Sequence, residues 1–75
     1  MFDGSQVIAG RGLLRWSRER LAVETGLAVR TLQRIESTDS IPPARAKTLV
    51  AIEKALARHG VKLTPGGVTR DSVAA

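Results

Sequence analysis

Apolar residues recur at helical spacing from Val7 to about residue 59, and the pattern changes beyond it. Ser5 is a candidate N-cap for a first helix, with Val7, Ile8, Leu13 and Leu14 as its apolar positions. Gly10 and Gly12 weaken this helix, each by about 1 kcal/mol against alanine, and Trp16-Ser17 ends it. Ser17 is a good N-cap for a short second helix, RERLAVET, whose buried side is Leu21, Ala22 and Thr25. Gly26 supplies the left-handed residue that stops it. A third helix runs from about Ala28 to Ser37. The stretch STDSIPP reads as a loop, and Pro43 suits the first turn of a fourth helix, ARAKTLVAIEKALARHG. Leu49, Ile52 and Leu56 line one face of that helix, and Gly60 stops it. VKLT and VTR read as short strands around a TPGG turn, with DSVAA as a frayed end. The elements divide the chain into a helical domain over residues 1–60 and a tail over 61–75.

The third helix is the unusual one. With about 100° per residue and Leu32 at the origin, Ile35 falls near −60° and Ala28 near −40°, which makes a buried stripe. Arg30, Gln33, Arg34 and Ser37 lie between about 100° and 200°, on the opposite side. That face is rich in hydrogen-bond donors and carries no acid. Val29 sits on the shoulder. Glu36 lies close to the core, where a carboxylate needs a partner. Arginine offers two parallel donors to guanine O6 and N7, glutamine a donor and an acceptor to adenine, and valine a contact for a thymine methyl. A surface helix that is merely solvated is the plainer account of such a face.

Charge strengthens the first of these readings. The chain has 75 residues and a net charge of +5, from 12 Lys+Arg against 7 Asp+Glu. Residues 11–34 hold six arginines against two glutamates, a net of +4, so most of the surplus sits in one third of the sequence. A patch of this kind points to a polyanion. With no cysteine and one histidine, His59, neither a disulfide framework nor a thiolate metal site is available. No metal or other cofactor is expected. No apolar run approaches the roughly 18 residues of a membrane span, and MFDGSQ does not open like a signal peptide, so the expected address is cytoplasmic and nucleoid-associated. Ser17, Thr31 and His59 form no recognisable catalytic set, and no enzymatic activity is expected.

The stretch LRWSRERLAVETGLAVRTLQRIE, residues 14–36, resembles the lambda repressor/Cro-like, or XRE-type, helix-turn-helix family. The matching residues are Trp16-Ser17, Leu21-Ala22, Gly26-Leu27, Thr31-Leu32 and Ile35-Glu36, continued by Pro42 and Leu49. The resemblance covers residues 5–60. It implies an all-α bundle of four or five helices with a central helix-turn-helix, to which the sequence adds a short C-terminal extended or β segment. It also implies that the second helix crosses the DNA backbone and the third enters the major groove. Carried over by position, Ala28, Val29, Arg30 and Gln33 match base-reading positions. Ser17, Arg18, Thr31 and Arg34 match positions near phosphates, Arg18 standing where the family often has glutamine. Arg11 and Glu36 resemble a pair that ties the first helix to the end of the third. Ala28 departs from a frequent serine N-cap, and Asp39 sits in a loop that is often basic.

The expected function is therefore a sequence-specific regulator that binds double-stranded DNA. One recognition helix reads few base pairs, so a homodimer on two half-sites is expected. The length leaves no room for a small-molecule sensing domain. The alternative is a protein-interaction module, an antitoxin or adaptor whose DNA binding is secondary and whose partner binds residues 61–70 by strand addition; the outward Val23 is a separate hint of a protein contact.

Overall fold

Asp3, not Ser5, begins the first helix. In the computed structural model, which describes residues 2–38 and 44–70, helix α1 spans Gly4–Leu13 with Asp3 as its N-cap. A capping box settles the choice: the Asp3 carboxylate accepts from the Gln6 N–H at 3.0 Å, and the Gln6 side-chain oxygen accepts from the Asp3 N–H at 2.9 Å. The Ser5 hydroxyl donates to the same carboxylate and, with the Gln6 N–H, holds it below its ordinary pKa. The cap therefore persists to lower pH than a free aspartate would allow, and is lost as pH falls through that depressed value.

Helix α1 ends in a Schellman motif. The Trp16 N–H reaches the Arg11 carbonyl and the Arg15 N–H the Gly12 carbonyl, each at 3.0 Å, with Arg15 in the left-handed region at φ 56°. Helix α2 spans Arg18–Thr25; Ser17 caps it as expected, and Gly26 ends it at φ 74°. Helix α3 spans Val29–Glu36, and helix α4 spans Ala46–Ala57. The predicted strands form an antiparallel hairpin, β1 (Val61–Thr64) and β2 (Gly67–Arg70), with Val61 opposite Arg70 and Thr64 opposite Gly67. Gly66, at φ 81°, turns the chain between them. Mostly helical though it is, the fold is thus not purely all-α. Asp39, Pro42, Pro43 and DSVAA, to which the sequence assigned a loop, a helix start and a frayed end, lie outside the described residues.

The core draws on every helix and on the hairpin. Val7, Leu21, Leu32, Ile52, Leu56 and Val61 are fully buried, and Phe2, Ile35 and Leu49 nearly so. Val61, at the start of the hairpin, belongs to this core. Gln6 fastens the hairpin to α1: its amide donates to the Thr64 and Gly67 carbonyls, the latter at 2.6 Å. Gly10 has a packing reason, since a Cβ there meets the side chains of Leu56, Val61 and Leu63 at 3.1–3.5 Å. Of the apolar positions assigned to α1, Val7 is buried, whereas Ile8 and Leu13 are 45% and 37% exposed.

Candidate nucleic-acid interface

The three-residue link Gly26-Leu27-Ala28 sets α3 against α2. Thr25 stiffens the link: its hydroxyl donates to the Leu21 carbonyl at 2.8 Å and accepts from the Leu27 N–H at 3.2 Å. Leu32 and Ile35 anchor α3 in the core, and that fixes which face looks outward. Arg30, Gln33 and Arg34 are exposed. Among the described residues none of their side chains has a hydrogen-bond or ion-pair partner, in contrast to most of the other polar groups on α2 and α3.

Two assignments on this face change. Ala28 is exposed and belongs to the outer surface, not to the buried stripe. It is the N-cap, with extended backbone at φ −72° and ψ 146°, so the rotation of 100° per residue does not reach it. As its missing side-chain oxygen implies, it makes no capping hydrogen bond. Ser37 is exposed, but its hydroxyl donates to the Arg34 carbonyl at 2.9 Å, and Thr38 reaches the same oxygen at 3.1 Å. These two hydroxyls finish the helix and are not free donors. Val29 and Thr31 are half-buried on the flanks of the face.

Glu36 has the partner its position required. Its carboxylate is 1% exposed and takes the Arg11 guanidinium in bidentate fashion, Nε at 2.8 Å and Nη2 at 3.0 Å. A third N–H of Arg11 reaches the Trp16 carbonyl at 3.0 Å. One arginine thus joins α1, the α1–α2 connection and the end of α3. Sequence reasoning missed the next contact: Arg18 Nε donates to Glu36 Oε1 at 3.0 Å. Arg18 is accordingly not a free surface cation. Its side chain is one-third exposed, and among the described residues its two Nη nitrogens have no partner. The Ser17 oxygen accepts from the Arg20 N–H at 3.0 Å, so its acceptor side serves the start of α2.

A second cluster closes α2 onto α4. Arg20 donates to Glu24 at 3.0 Å and lies 4.9 Å from the centre of the Trp16 ring. His59 meets Trp16 edge to face, centroids 4.7 Å apart, and places Nε2 3.3 Å from Glu24. Arg58 donates to the Glu24 carbonyl at 2.9 Å. The hydrogen bond from Arg20 holds the Glu24 carboxyl below its ordinary pKa, and His59 adds in the same direction. This cluster absorbs Arg20, which the net charge of the segment had counted as available. The i,i+4 spacing of Arg20 and Glu24 was the signal that could have revealed it.

Comparison of the chain with protein-family models, with curated proteins and with solved structures finds no match. Among the described residues, no helix is long and apolar enough to cross a membrane.

Proposed function

We propose that this chain is a sequence-specific double-stranded DNA-binding regulator that reads the major groove with α3. The observation that carries the reading is the outer face of α3. Among the described residues, Arg30, Gln33 and Arg34 project without hydrogen-bond or ion-pair partners from a helix whose other side is pinned by Leu32 and Ile35. Two eight-residue helices joined by a three-residue turn present such a face in the helix-turn-helix manner. Arg30 and Gln33 supply base-edge donors, with Val29 and Ala28 beside them for apolar contact. Arg34, Thr31, Ser17 and Arg18 flank the groove on the phosphate side. A homodimer on two half-sites follows from the few base pairs one such helix covers.

Val23 favours a second reading, because it is a large apolar side chain 77% exposed on α2. In that reading the chain is an antitoxin or adaptor whose main contact is a protein. Salt tests the first reading. Binding to duplex DNA through several phosphates should lose affinity steeply as salt rises, each neutralised phosphate adding about 0.9 to the log–log slope. A fluorescence-anisotropy titration at several salt concentrations measures this. A slope near zero, or no duplex binding at low salt, rejects the DNA reading.

A further inference from the structure

We propose that Arg18 works as a bridge, with one edge of its guanidinium held by Glu36 and the other edge taking a phosphodiester oxygen pair. The inference rests on the DNA reading above and goes beyond it by making the buried carboxylate part of the phosphate site. Glu36 receives two guanidinium groups on one carboxylate, so the cluster keeps one uncompensated positive charge. Arg11 spends its donors inward, on Glu36 and on the Trp16 carbonyl. The surplus charge is therefore presented by Arg18, the more exposed of the two, at 33% against 17%.

Geometry then selects the ligand. A guanidinium is planar and offers its donors along separate edges. With Nε fixed on Glu36, the Nη1–Nη2 edge remains, and parallel donors on one edge match two oxygens of a tetrahedral anion. Arg18 is held before the ligand arrives, through Nε, by a carboxylate that Arg11 itself holds. Glu36 is also the last residue of α3. The side chain that orients Arg18 and the helix that reads bases thus share one anchor, which fixes the register of phosphate contact and base contact relative to each other.

Lysine cannot reproduce this. A single ammonium has no second edge, and beside Glu36 it turns inward to the carboxylate. Arg18→Lys and Arg18→Ala both leave the two Arg11 contacts to Glu36 in place, and thermal melts check that both variants stay folded. Their affinities for a random-sequence duplex about 20 base pairs long should fall together, within about twofold of each other, and both should flatten the salt slope by about 0.9. The side-chain NMR signals of the wild type supply the direct readout. On adding that duplex, the Arg18 Nε–H should stay protected from solvent exchange while its Nη protons become protected. A lysine variant with wild-type affinity overturns the bridge, as does loss of Nε–H protection or Nη protons unchanged at saturating duplex. Failure of the DNA reading looks different, because the wild type then binds no duplex at all.

Discussion

Arg11→Met is expected to destabilise the domain by about 1.5–3 kcal/mol, because it removes the bidentate contact to a deeply buried carboxylate and leaves Arg18 as its remaining cation among the described residues. Total stability for 75 residues should be about 4–11 kcal/mol, so this loss is a substantial share of it. The reverse deletion, Glu36→Leu, should cost less, because Arg11 and Arg18 both retain some access to water while the carboxylate has almost none. The double variant should be milder than the sum of the two singles, since it leaves no buried carboxylate behind. Urea unfolding of the four proteins measures the cycle. Strict additivity would mean that the pair does not act as a unit.

Gly4→Ala should also destabilise strongly, by at least about 3 kcal/mol, although helix propensity alone favours alanine by about 1 kcal/mol. The opposite sign comes from packing. The first turn of α1 lies directly on the end of α3: the Gly4 N–H donates to the Thr38 carbonyl at 2.9 Å, and a Cβ at Gly4 would overlap the carbonyl oxygens of Ile35, Glu36 and Thr38. Those are backbone atoms and cannot rotate away. The chain would have to open the α1–α3 contact, and with it the setting of Glu36. Gly12 is the control, since a Cβ there meets nothing within 4 Å and Gly12→Ala should be neutral or stabilising. Thermal melts compare the two, and a Gly4→Ala variant as stable as the wild type would refute the close approach.

The sequence made most elements legible because their signals are local. Gly26 after RERLAVET, the spacing of Leu32 and Ile35, the stripe of Leu49, Ile52 and Leu56, and the PG turn between two short strands each act within a few residues. The start of α1 was misplaced by two residues because Ser5 and Asp3 are both capping types. Gln6, three residues after Asp3, carried the deciding information. Ala28 leaves the buried stripe because, as the extended N-cap, it lies before the helical rotation of α3 begins. The pairing of Arg11 with Glu36 followed from the family resemblance and from the near-core angle of Glu36. Nothing in the spacing of Arg18 and Glu36 announces that the start of α2 and the end of α3 meet there. That contact depends on how α2 packs against α3, which is a tertiary fact. The outer face of α3 was legible for the converse reason: a helix with two anchored apolar positions has only one way to face.

Arg30 and Gln33 test the central claim most directly, because they should decide which sequence is bound and not merely how tightly. Both are exposed, on the side of α3 away from the buried Leu32 and Ile35, so alanine at either position should leave folding nearly unchanged. At the preferred site each replacement should cost about 1–3 kcal/mol, and much less on random DNA. The measurement is selection from randomised duplexes with the wild type, Arg30→Ala and Gln33→Ala. The account predicts a defined wild-type motif that loses its preference at different base positions in the two variants. Recovery of the same motif with undiminished preference by both variants would contradict it, and would remove α3 as the reading element.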